Sequence, residues 1–144
     1  MRDYLVRRDV RKGSGMPRTT FTDAEVTYLN SQMLGRIATV NNQGAPRVVP
    51  TGFRHNPDTG TIDCGGFNLA ATRRYGDIQT NPAVAIVIDD LASTNPWTVH
   101  GVQVRGTATL HGEEEDSGHR GPGFNGAWMR ITPTSISSWG LGSD

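Results

Sequence analysis

Gly65-Gly66-Phe67-Asn68 followed by Thr72-Arg73-Arg74 is the one constellation in this chain whose residue types and spacing could do chemistry. Glycines let a ligand approach the backbone, and a helix that starts after them offers free amide hydrogens. A hydroxyl and two guanidiniums stand beside those amides, so the set suits an anion, and a phosphate group fits it well. In the alternative reading Arg73 and Arg74 only solvate an exposed helix face. The pattern by itself leaves both readings open.

Other chemistries find no foothold. Cys64 is the only cysteine, which excludes an intramolecular disulfide, a Cys-x-x-Cys redox pair and a multi-cysteine zinc site. His55, His100, His111 and His119 lack the close pairing of zinc ligands and read as surface or strand residues. No serine occupies a nucleophile elbow, and there is neither a Walker loop nor a Gly-x-Gly-x-x-Gly turn. The acidic run in the loop over 113–125 shows no metal-ligand spacing and reads as a solvated face. No catalytic acid or base is assigned, since nothing in the spacing brings His55 or Tyr75 to a reacting centre.

The elements that must position the constellation are short strands. Thr22-Asp23-Ala24-Glu25 is a capping box, and Val26, Leu29 and Met33 predict one apolar face on a helix running to about Met33. Strands over 37–40 and 47–53 flank the turn Asn41-Asn42-Gln43-Gly44 and predict a β-hairpin. Its second strand carries Pro50, which cannot donate to a ladder, so either a ligand or an edge strand with a bulge is expected there. A third strand is predicted over 61–65, and a second helix over about 68–80 with Ala71, Tyr75 and Ile78 on one face. The apolar run 83–88 predicts a strand buried on both faces. The alternation over 99–110, with its late small residues, predicts a strand that bends. One or two further strands follow over 128–139. Six or seven short strands, two helices and hairpin links predict a mainly β, mainly antiparallel barrel or sandwich.

Composition bounds the rest. With 144 residues and a formal net charge of zero, the chain is long enough for one core and makes no electrostatic case for nucleic acid. No apolar run approaches the roughly 18 residues of a membrane span, and no signal peptide is visible, so a cytoplasmic location is expected. Only 35% of residues are hydrophobic, which predicts further burial in a homodimer interface. Residues 1–15 are polar and aperiodic and are expected to form a disordered arm, with Met16 as an alternative start. Residues 16–144 are expected to form a single domain.

Over residues 20–141 the chain resembles the pyridoxamine-phosphate-oxidase-like split barrels, a superfamily of dimeric flavin and deazaflavin binders. LGRIATVNNQGAPRVVPTGF resembles that family's first hairpin, DIQTNPAVAIVIDD its buried strand, and VHGVQVRGTATL the strand with its Arg-Gly-x-Ala element. GFRHNPDTGTIDCGGFNLAATRRY, Pro96-Trp97, GPGF and RITPTSISSWG are most similar to an actinobacterial branch that uses coenzyme F420. That branch includes a reductase of tetracycline-type antibiotic biosynthesis.

The resemblance implies a six-to-seven-stranded antiparallel split β-barrel of the FMN-binding type, with two short helices. It implies that Thr72, Arg73 and Arg74 hold the cofactor phosphate, with Arg74 in place of the family's usual lysine. The neighbouring Gly65, Gly66 and Asn68 are expected to complete the anchor. The backbone of Val49, Pro50 and Thr51 would line the ring system, and Trp139 would come from the second subunit of a homodimer. Gly76 stands where relatives often carry another basic residue, and Val49 where this branch often has a polar one. The implied activity is an F420-dependent reductase acting on a conjugated small molecule. The alternatives are an FMN-dependent oxidase or flavin reductase and a non-catalytic cofactor-binding protein.

Overall fold

A computed structural model describes residues 16–142; the expected arm at 1–15 lies outside the described residues. Helix α1 (Asp23–Asn30) begins at the predicted capping box, with the Thr22 hydroxyl accepting from the Glu25 amide and the Glu25 carboxylate accepting from the Thr22 amide. It ends earlier than predicted and buries Glu25, Tyr28 and Leu29, while Met33 lies beyond it, 85% exposed. Arg18 explains the buried acid, since its guanidinium donates two bonds to the Glu25 carboxylate at 2.6 and 2.8 Å. Fork-to-fork geometry of this kind offsets the desolvation of both charges.

Strands β1 (Leu34–Val40) and β2 (Pro46–Gly52) form the predicted hairpin. Asn41 shapes its turn by accepting from the Gln43 and Ala45 amides through its side chain, and Gly44 supplies a φ of +83°. Next come β3 (Arg54–Asn56), β4 (Thr61–Cys64), a 3-10 turn (Leu69–Ala71) and helix α2 (Arg73–Thr80). The predicted second helix is thus split, because Thr72 in extended conformation caps a new start, and Ala71 falls on the exposed side. Three longer strands complete the fold: β5 (Ala83–Thr94), β6 (Trp97–His111) and β7 (Trp128–Trp139). The last of these runs unbroken through Thr132-Pro133.

All seven strands join one antiparallel sheet in the order β2-β1-β5-β6-β7-β4-β3. The two strands at its opposite edges, β2 and β3, are separated in sequence by Phe53 alone. One residue can join them only if the sheet curls until its edges approach each other, which makes a split barrel. Gly106 is one of the places where it bends: the β6–β7 register shifts at Arg105/Gly106, and a Cβ on Gly106 would stand 2.3 Å from the Thr132 carbonyl oxygen. Ile37, Ile62, Ile86, Ile88, Val102, Val104, Met129 and Ile131 fill the interior.

In β5, Val84, Ile86 and Ile88 point inward as the second-face alternation of an antiparallel strand requires, but Ala83, Ala85 and Val87 do not. The strand predicted to be buried on both faces is covered on one only. Its other face continues across the pairing register from Ala85 through Ala38 to Val48 and from Val87 through Arg36 to Pro50, so apolar residues surround the exposed Arg36–Asp89 ion pair on the outside of the barrel.

Candidate functional site

The turn from β4 into α2 carries the predicted anion site. Its glycines have different tasks. Gly65 makes room for the protein's own chain: a Cβ there would lie 1.6 Å from the Gly123 carbonyl oxygen, and that oxygen accepts from the Gly66 amide at 2.9 Å. The expectation that both glycines admit a ligand therefore holds no place for Gly65, whose space the 112–127 loop fills. Gly66 has a φ of +150° and faces the Arg74 guanidinium, 3.2 Å from where its Cβ would be. Asn68 takes a left-handed φ of 56° to redirect the chain into the 3-10 turn, and Phe67 is 98% exposed.

Thr72 serves both sides of the break: its hydroxyl donates to the Leu69 carbonyl at 2.6 Å and accepts from the Tyr75 amide at 3.3 Å. The amides of Arg73 and Arg74 are left at the open first turn of α2. Arg73 is exposed. Arg74 is half-buried and its Nε is buried without a hydrogen-bond acceptor. Burial pushes the Arg74 guanidinium below the usual arginine range. Helix α2 is held to the hairpin by Asp77, which accepts from the Thr39 hydroxyl at 2.7 Å and from Arg47 Nε at 2.9 Å. The Arg47 bond, and then the Thr39 bond, hold the Asp77 carboxyl below its ordinary value.

Thr51 approaches the same group from β2. Burial, and then the charge of Asp63, push the Cys64 thiol up to about 12, while the Thr51 hydroxyl and the Arg74 guanidinium act in the opposite direction. Val49 packs on the core and Thr51 is buried, whereas Pro50 faces outward. Pro50 lies in an edge strand whose register with β1 is unbroken, so no bulge accompanies it. Trp139 stands elsewhere, on β7 over Gly101, where a Cβ would meet its indole at 2.7 Å. Its indole Nε1, like Arg74 Nε, is a buried donor without an acceptor among the described residues.

Sequence reasoning missed Asp63. This fully buried carboxylate accepts from Asn56 Nδ2 at 3.0 Å, the Thr61 hydroxyl at 2.9 Å, His119 Nε2 at 2.9 Å, and Arg130 at 3.0 and 3.1 Å. Burial pushes its pKa up, but the bonds from Arg130, Asn56, His119 and Thr61 outweigh burial and hold it below the ordinary value. Through His119 and the Ser117 carbonyl, the network pins the 112–127 loop to β3, β4 and β7. The partners are dispersed over the chain, so no local motif announces them. Among the described residues, no group of three or more His, Cys, Asp or Glu side chains is placed to hold a metal ion. No helix among them is long and apolar enough to cross a membrane.

The 112–127 loop also closes one side of a cleft of about 440 Å³. Leu29, Met33, Phe53, Arg54, Gly66 and Phe124 are among its lining residues.

The family model for pyridoxamine 5'-phosphate oxidase matches residues 21–139, from the residue before the capping box to the last residue of β7. The chain belongs to this family. A curated relative from Streptomyces rimosus, a 5a,11a-dehydrotetracycline/5a,11a-dehydrooxytetracycline reductase, is 36% identical over 126 residues, 86% of each chain. Among solved structures, a putative pyridoxamine 5'-phosphate oxidase from Lactobacillus delbrueckii superposes with a TM-score of 0.63 at 22% identity, over 83% of this chain and 95% of that one. An FAD-binding protein from Mycobacterium smegmatis gives a TM-score of 0.62 at 23% identity, over 84% and 96%. These two likenesses establish the fold as that of the split-barrel proteins.

Proposed function

We propose that this split barrel is a coenzyme F420-dependent reductase, in which the bound reduced deazaflavin supplies a hydride to a conjugated organic molecule. The observation that supports a phosphate-bearing cofactor is Arg74. A buried donor left without an acceptor costs about 1–3 kcal/mol, and a phosphate oxygen in front of Arg74 Nε would remove that cost. The open amides of α2 and the cradle at Gly66 favour an anion at the same place. The residues present therefore fit the group. Arg74, Arg73 and Thr72 would hold the phosphate, and the open edge of β2 at Val49, Pro50 and Thr51 would support the ring system.

A reductase is favoured by the Streptomyces rimosus relative, whose name is that of a reductase and which matches along most of both chains. The preference for F420 over FMN rests on the segment-by-segment resemblance to the deazaflavin branch. FMN on the same anchor is the second reading, which rests on the resemblance to the flavin-binding split barrels. The cofactor site is proposed to lie between two copies of the chain in a cytoplasmic homodimer. The outer patch of Ala38, Val48, Pro50, Ala85 and Val87 around Arg36 is suited to that contact, and Val48 is 65% exposed in the single chain.

Fluorescence titration with F420 and FMN side by side tests the reading. Saturable F420 binding with weak or no FMN binding is the expected result. Purified protein that is yellow with FMN and indifferent to F420 would replace the reductase reading with the FMN one.

A further inference from the structure

The cleft between α1 and the 112–127 loop lies beside the phosphate anchor and meets it at Gly66. Leu29 and Phe53, both buried, form its floor, while Met33 and Phe124 border it with accessible apolar surface. The sequence assigns Met33 to the core face of α1, yet it stands 85% exposed on this rim. A flexible thioether and a phenyl ring on one cleft of this size suit a flat apolar molecule.

Arg54 adds a charge to those walls. Its guanidinium lies 5.7 Å from the centre of the Phe124 ring. Arg18, Arg36, Arg47, Arg120 and Arg130 each pair with a carboxylate, whereas Arg54 has no such partner among the described residues. Phe124 is itself held in place: Gly123 is bonded to Gly66, and the His119 ring packs 4.8 Å from the Phe124 ring while bonded to Asp63.

We infer that this cleft is the slot for the hydride acceptor, and that its occupant is a flat conjugated acid. The fused rings lie against Met33 and Phe124, and an enolate, phenolate or carboxylate group meets Arg54. The word acceptor rests on the proposed reductase reading, but binding of the acid does not require the cofactor.

The test titrates the full chain with 3-hydroxy-2-naphthoate, followed by its fluorescence, and with the neutral methyl ester of the same compound. The acid should bind saturably. Arg54→Gln should weaken the acid about tenfold, the loss of one charge-assisted hydrogen bond, and leave the ester unchanged. Arg54→Lys should keep most of the acid's affinity, and Phe124→Ala should weaken both compounds. Affinity for F420 and for FMN should be the same in all three variants as in the parent. Arg54 is exposed on a surface strand, and matching melting curves check that its variants fold. Absence of saturable naphthoate binding overturns the inference. So does a loss of cofactor affinity in Arg54→Gln or Phe124→Ala with naphthoate binding intact, because the cleft would then belong to the cofactor. If neither F420 nor FMN binds while the naphthoate does, the reductase reading fails and the acid site stands.

Discussion

Arg74 and Cys64 are neighbours with opposite prospects. Arg74 keeps a buried donor unspent, and the proposed phosphate anchor depends on it. Arg74→Ala should therefore weaken cofactor binding by about 1.5–3 kcal/mol, read by fluorescence titration. Unchanged affinity in a folded variant would remove the anchor. Cys64 carries a thiol that burial, and then the charge of Asp63, push up to about 12, so thiolate is essentially absent at neutral pH. Iodoacetamide should leave Cys64 unmodified in the native protein and alkylate it after denaturation, as followed by mass spectrometry. Rapid native alkylation would contradict the burial described here. The sequence marked Thr72, Arg73 and Arg74 because a capped helix start with two guanidiniums is local in the chain. It did not mark Asp63, whose partners Asn56, Thr61, His119 and Arg130 come from β3, β4, the 112–127 loop and β7.

The 112–127 loop is the element whose placement decides the site, and two of the contacts that hold it can be tested by substitution. The first is backbone to backbone. Gly65→Ala would drive a methyl group into the Gly123 carbonyl, which cannot yield as a side-chain tip would. A loss of about 3 kcal/mol is expected, at the upper end of overpacking costs, measured by denaturant unfolding. A neutral effect would mean that the loop is not docked on Gly65. The second contact is the Asp63 network. Because its folded pKa is depressed, its stabilisation is intact above the ordinary value of 3.8 and is lost as pH falls below that toward the folded value. Trp128, whose indole donates to the Glu115 carbonyl at 2.9 Å, reports on the loop through its fluorescence. An acid step should appear in that signal. Asp63→Asn should lose the step and melt at a lower temperature at pH 7, whereas an unaltered step would assign it to another carboxylate.

At the scale of the whole molecule, the inner face of the sheet is the buried core, and part of its outer face is apolar as well. Its outer face carries Pro50, Val48, Ala38, Ala85 and Val87 around the Arg36–Asp89 ion pair, more apolar than a fully solvated face would be. The purified protein should therefore sediment as a dimer, and Val48→Glu should shift it toward monomer. A stable monomer that binds cofactor with full affinity would refute a cofactor site shared between subunits.

Hydrophobic alternation, turn residues and caps are properties of neighbouring residues, so the sequence by itself determined a mainly β chain with two helices. It also placed the hairpin around Asn41–Gly44, a bend late in the strand over 99–110, and a helix start with a hydroxyl and two guanidiniums at 72–74. Register and curvature depend on residues far apart, and only the tertiary structure decided them. That structure joins β2 to β3 across Phe53, fills the space over Gly65 with Gly123, and leaves Met33 outside α1. It also brings Thr51, Cys64 and Arg74 together from β2, β4 and α2. A local pattern fixes which way a side chain points along its own strand. What that side chain meets is fixed by how the strands close.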